Sequence, residues 1–173
     1  MSIEKSETPS KILIANFTSP LSIGETLASL PEHITLAPPA AGRISIEDVR
    51  AEVGCATAEQ VSFHTRTSGL ELFGNNDTPV RLLEQTEPLQ KLHTRIIDIL
   101  NTLRLLYDAT YTGPNYRPHV SAMRKEIGNR EIFSVLSKDI DIAIAGLSIV
   151  TKRADGSWKV VDNAIFKEDI SKR

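Results

Sequence analysis

Cysteine is almost absent from this chain: Cys55 stands alone among 173 residues. No intramolecular disulfide can form, and a cysteine-based metal knuckle has no ligands to draw on. Aromatics are scarce too, with five Phe, three Tyr and one Trp. A platform that stacks many successive bases needs more of them. Neither sign of charge dominates, since 20 Lys and Arg stand against 22 Asp and Glu for a formal balance of −2. That balance argues against a protein that coats long nucleic acid by releasing counterions. Long apolar runs are missing as well. The run from Ile142 to Val150 falls far short of the roughly 20 residues needed to span a bilayer. The start, MSIEKSETPS, has neither the basic nor the apolar region of a signal peptide. The expectation is a soluble, cytoplasmic protein that works as a monomer.

What is present is ordinary for a globular chain, with 40% hydrophobic and 24% charged residues. The length suits one domain or two small lobes packed closely together. Residues 1–10 are polar and predict a flexible tail, leaving 11–173 as the folded unit. Lys11–Phe17 (KILIANF) reads as a buried strand. Thr18 and Pro20 predict the start of a short helix running to about Leu30, and His33–Leu36 begins a second strand. Ser45-Ile-Glu-Asp48 looks like a capping box for a helix that turns Val49 and Val53 inward. Gly54 is read as its end, with Cys55 just beyond and no activating neighbour.

Val61–Thr67 and Leu70–Phe73 read as strands, and Gly74-Asn-Asn-Asp77 turns the chain into a partner strand, Pro79–Leu83. Leu89, Leu92, Ile96, Leu100 and Leu103 recur at helical spacing and predict a long amphipathic helix from about Glu87 to Tyr107. Arg117–Met123 is a further strand, Asn129–Leu136 a short helix and Ile140–Ala145 a strand. A hairpin closes the chain, Ile149–Arg153 and Trp158–Ile165 around an Asp-Gly turn. Adjacent hairpins make the sheet mainly antiparallel, so the fold class is α+β.

Two short motifs carry the chemistry. His33-Ile-Thr35-Leu36 and His119-Val-Ser121-Ala122 share one grammar of imidazole, β-branched residue, hydroxyl and apolar residue. They lie about half a chain apart, which points to an internal structural repeat. On a strand, alternate side chains share a face. Each motif therefore offers one base and one hydroxyl on one side, about 7 Å apart, with apolar residues on the other. Two such faces meeting across a cleft suit a phosphodiester. A neutral His removes a proton from the attacking group, a protonated His donates one to the leaving oxygen, and the hydroxyls hold the non-bridging oxygens. Histidine serves both roles because its ordinary pKa is near 6.5. No third and fourth ligand for a metal is evident.

The segments EHITLAPP (Glu32–Pro39) and RPHVSAMR (Arg117–Arg124) resemble the paired H-x-[ST] motifs of the 2H phosphoesterase superfamily. Within it the chain is most similar to the bacterial 2′-5′ RNA ligase-like and cyclic phosphodiesterase branch. The likeness extends to the hairpin at GNNDTPV, the long helix between the motifs and the closing GSWKVV hairpin. It implies a bilobal α+β fold around a central cleft, with no cofactor. It also implies metal-independent chemistry on 2′,3′-cyclic or 2′-5′ phosphoester linkages of a nucleotide or RNA end, not of a long duplex. Carried across by position, His33 and His119 form the acid/base pair, and Thr35 and Ser121 orient the phosphate. Ser121 stands where many members have Thr, which keeps the hydroxyl and loses a stiffening methyl. Which His is the base is left open. Two other functions share the same cleft: a module that binds nucleotide or RNA termini without turnover, and a hydrolase of cyclic oligonucleotide signals.

Other residues near the motifs have two readings each. Arg117 shares the parity of His119 and Ser121 and could grip a phosphate, or be a solvated loop cation. Arg124 closes the strand and could bend round to the same ligand. Tyr116 could stack on a base or bond a phosphate, or simply pack. Phe73 is expected in the core, with a base platform as the alternative. His64 is expected on a half-exposed strand face, with a substrate-facing role as the alternative, and His93 at the boundary of the long helix's apolar stripe, with a ligand role as the alternative.

Overall fold

A computed structural model describes residues 11–74, 78–121 and 140–169. The first strand, β1 (Lys11–Phe17), is buried at five consecutive positions from Ile12 to Asn16. Such a run is stable only where both faces of the sheet are covered. Ile12 and Ile14 join the main core on one face, and Leu13 and Ala15 join a smaller cluster on the other. The strands that follow are β2 (Thr26–Leu27), β3 (His33–Thr35), β4 (Phe63–Phe73) and β5 (Thr78–Leu83). After these come β6 (His119–Ser121), β7 (Asp141–Ile144), β8 (Gly146–Lys152) and β9 (Trp158–Ile165). They form one sheet in the order β2-β9-β8-β1-β3-β6-β5-β4-β7. Every pairing within it is antiparallel. The expected α+β class holds, and among the described residues five strands lie on one side of the β3–β6 seam and four on the other.

Among the described residues, two α-helices cover one face. In α1 (Ile46–Thr57), the Ser45 hydroxyl accepts the Asp48 N–H at 3.1 Å, and Val49 and Val53 are buried as the capping-box pattern predicts. In α2 (Glu87–Thr102), the Thr86 hydroxyl caps Leu89, and Leu89, Leu92, Ile96, Ile99 and Leu100 face the core. Ile34 and Val120 meet these helices from the sheet, so this is the helix face.

Four expectations need correction. No helix forms over Thr18–Leu30. Gly24 adopts a left-handed φ of 88°, and the backbone of Gly24 and Glu25 bonds Val160, laying β2 against β9. The long helix ends at Thr102, short of Tyr107. Arg104 turns left-handed at φ 53°, Leu105 enters the core, and Leu106 exchanges backbone bonds with Ala41. Gly54 does not end α1, which continues through the exposed Cys55 to Thr57. The two strands read between Val61 and Phe73 are one, β4, with an irregularity between Thr67 and Gly69. The helix predicted at Asn129–Leu136, residue Arg124 and the N-terminal tail lie outside the described residues.

Candidate active site

The seam between the halves of the sheet is short. β3 and β6 are three residues each, and Ile34 pairs with Val120. Both of those side chains point to the helix face and are fully buried. Alternation then puts His33, Thr35, His119 and Ser121 together on the opposite face. Antiparallel register sets Thr35 across from His119 and Ser121 across from His33. The two histidines are diagonal neighbours, a relation that spans about 7–8 Å in an antiparallel pair. The separate strands that carry the motifs in sequence are thus adjacent in space.

The imidazoles have matching surroundings. The Nδ1–H of His33 donates to Pro31 O at 2.7 Å, and the Nδ1–H of His119 donates to Arg117 O at 2.8 Å. A carbonyl can only accept, so each neutral ring keeps its lone pair on Nε2. In both motifs the acceptor lies two residues upstream of the histidine. Each ring also meets a phenylalanine, with centroids 5.3 Å apart for Phe17 and His33 and 4.6 Å for Phe73 and His119. Burial beside these rings disfavours the imidazolium and holds both pKa values below the usual histidine value. The Nδ1 bonds to carbonyls oppose that shift. Mutual repulsion adds to it at His33, and the nearby Arg117 cation adds to it at His119.

The two sides of the pair differ. His33 is buried, and the segment before it (Leu21, Leu27 and Leu30) packs with Phe17 over the small apolar cluster. His119 is half-buried under a charged rim. There the Arg117 guanidinium forks onto Glu71, with Nη1 to Oε1 at 2.7 Å and a second contact from Nη2 to Oε2. It also lies 5.1 Å from the centre of the Phe73 ring. The fork holds the Glu71 carboxyl below its usual range and makes Arg117 harder to deprotonate. A groove of about 370 Å³ continues from this rim, lined by Ser68, Leu82, Gln85, Arg117 and Pro118 among others. Among the described residues, no three His, Cys, Asp or Glu side chains gather as metal ligands.

A family model described as the 2′-5′ RNA ligase superfamily matches residues 17–152, a span that holds both motifs. This chain belongs to that superfamily, the 2H phosphoesterases. Solved structures show the same fold. Escherichia coli LigT complexed with NADP+ is 14% identical at a TM-score of 0.56, with 93% of this chain and 99% of LigT covered. The Thermus thermophilus protein TT0787 is 18% identical at a TM-score of 0.57, covering 92% and 99%. A third, described only as a phosphoesterase, is 14% identical at a TM-score of 0.57, covering 92% and 99%. No curated protein matches the chain in sequence.

Within this superfamily fold, the remaining sequence candidates separate clearly. Arg117 reaches the rim but is engaged by Glu71. Tyr116 does not reach the sheet face that carries the motifs: it is buried, stacks on His93 at 3.8 Å and gives its hydroxyl to Thr35 O at 3.1 Å. His93 is no boundary residue but fully buried, held by Leu36 O and the Gly113 N–H. His64 is half exposed as expected, and its Nδ1 meets Asp141 Oδ2 at 2.7 Å near the sheet edge. Phe73 leaves the expected core for the site. Sequence reading missed Phe17 and Glu71. Phe17 and Phe73 each end a strand, and their place beside the motifs is visible only once the strands are paired.

Proposed function

We propose that this protein is a metal-independent phosphoesterase acting on a 2′,3′-cyclic phosphate or 2′-5′ phosphodiester of a nucleotide or RNA end. The observation that carries the reading is the pair of imidazoles on one sheet face, each with Nδ1 tied back to a carbonyl and Nε2 left to work. In hydrolysis, one neutral Nε2 accepts a proton from water as its oxygen attacks phosphorus. The other ring, protonated, gives its proton to the departing ribose oxygen, and the P–O bond breaks. Thr35 and Ser121 donate hydrogen bonds to the non-bridging oxygens, whose charge grows in the transition state. The bound phosphate stabilises the imidazolium that burial alone disfavours. Arg117 joins the phosphate only by exchanging Glu71 for it.

The printed ligands of LigT structures, NADP+ and 3′-AMP, are nucleotides, and a small nucleotide end is the substrate class we assign here. A single bound phosphate also suits a chain of nearly balanced charge.

The test is a substrate panel in the presence of chelator: 2′,3′-cyclic nucleotides, 2′-5′ oligoadenylates, ADP-ribose cyclic phosphate and cyclic dinucleotides. Turnover should persist with chelator. His33→Ala and His119→Ala should each lower kcat by roughly 10²–10⁴-fold with the far-UV spectrum unchanged. An absolute need for a divalent ion would overturn the mechanism. Unaltered binding of product nucleotides, with no turnover by the wild type, would identify a binding module instead.

A further inference from the structure

Beneath the motifs lies a buried polar pair with no part in the proton transfers above. The rings of His93 and Tyr116 stack at 3.8 Å with an interplanar angle of 1°. Each side chain spends a hydrogen bond on the strand end that carries the first motif. The Tyr116 hydroxyl donates to Thr35 O, and His93 Nδ1–H donates to Leu36 O at 2.8 Å. His93 Nε2 in turn accepts the Gly113 N–H at 3.0 Å, and the Tyr116 N–H returns to Gly113 O. The short turn before the second motif is thereby fixed to the strand of the first. From Tyr116 the chain runs directly into Arg117, whose carbonyl holds His119 Nδ1. Gln85 secures the same corner through Tyr116 O at 2.8 Å.

This wiring matters because the seam itself is so short. With three-residue strands on either side of it, small shifts along or across the seam change the distance between the imidazoles. We infer that Tyr116 and His93 are positioning residues that lock the two H-x-[ST] motifs at the separation the reaction needs. The route is continuous: Thr35 O, the Tyr116 hydroxyl and main chain, Arg117 O, then His119 Nδ1. Tyr116 thus ties the strand that carries His33 to the segment whose carbonyl holds His119, while touching no substrate. The inference rests on the phosphoesterase reading for its kinetic consequence, but its geometric consequence stands by itself.

Tyr116→Phe tests it, because the ring still stacks on His93 and only the hydroxyl is lost. Misplacement of reacting groups by about 1 Å costs on the order of 10²-fold. A partial loosening should therefore lower kcat by about 10-fold while KM stays within about 2-fold. Independently of turnover, proton NMR should show the His119 Nδ1–H exchanging with solvent faster in Tyr116→Phe than in the wild type. Ile99→Val, in the same core but away from both motifs, is the control for general destabilisation and should leave kcat unchanged. Wild-type kcat and exchange in Tyr116→Phe would overturn the inference. So would equal losses of kcat in Tyr116→Phe and Ile99→Val. If the wild type turns over no phosphoester yet Tyr116→Phe still speeds the Nδ1–H exchange, the function fails and the clamp stands.

Discussion

Burial sets the protonation of the two site histidines, and its consequence can be read from a pH profile. In the proposed mechanism the reactive state of the free protein carries one proton on the pair, which makes kcat/KM largest between the two apparent pKa values of the pair. Both histidines are held below 6.5. As pH rises through the upper value, the last proton leaves the pair and kcat/KM falls, so its maximum should lie on the acid side of about 6.5. Bound phosphate favours the imidazolium, and the alkaline limb of kcat should therefore sit at higher pH than that of kcat/KM. Initial rates across a pH series check both. An alkaline limb of kcat/KM well above neutrality would contradict the burial argument. At the same scale, in the proposed reaction Ser121→Ala and Thr35→Val each remove one oxyanion donor and should lower kcat by about 10²-fold. Their KM should move less than kcat, because those bonds strengthen as charge develops on the non-bridging oxygens.

At the scale of elements, two backbone positions predict opposite changes. Arg104 follows α2 in the left-handed region, φ 53°, where an L side chain costs roughly 1–2 kcal/mol. Arg104→Gly should raise stability by about 0.5–1 kcal/mol once the extra freedom of glycine in the unfolded chain is set against that relief. Gly146 opens β8 with no room above it, since a Cβ there would lie 2.6 Å from Ala164 O and 3.4 Å from Ile165 Cα. Both are backbone atoms of the paired strand, so Gly146→Ala must push β9 aside at about 1–3 kcal/mol. Urea midpoints of the two variants should move in opposite directions.

These elements also mark what was legible beforehand. The capping box at Ser45, the leucine spacing of α2 and the Asp-Gly hairpin are local signals, and the fold uses them as read. The helix read over Thr18–Leu30 failed because its backbone donors and acceptors are claimed by β9, far away in sequence. The same reason hid the early end of α2, whose continuation pairs with Ala41. At the site, parity on each strand put His33 with Thr35 and His119 with Ser121. Non-local partners then decided Arg117 and Tyr116. Glu71 occupies the guanidinium, and the stacking partner of Tyr116 comes from α2, neither of which lies near in sequence.

For the whole molecule, the chain order within the sheet decides how the protein unfolds. The strands on the β1 side of the seam come from both ends of the chain. β8 runs against β1 from Lys11↔Lys152 to Ala15↔Ser148, and β9 lies beyond it. A chain ending at Ser121 would leave the apolar edge of β1 without β8, and with it the cluster of Leu13, Ala15, Val150 and Val160. The main core draws on both sides of the seam at once, Ile14 and Ile149 from one and Leu83 and Ile144 from the other. Neither half can keep its buried surface without the other, so the two halves should melt as one cooperative unit. The protein carries a built-in probe for this. Trp158, the single tryptophan, sits on β9 at the far side of the β1 half. Far-UV circular dichroism, in contrast, is weighted to α1 and α2. Urea transitions followed by Trp158 fluorescence and by circular dichroism should superimpose. A tryptophan transition at clearly lower urea would mean that the β1 half comes apart first, and that the shared core does not couple the two halves.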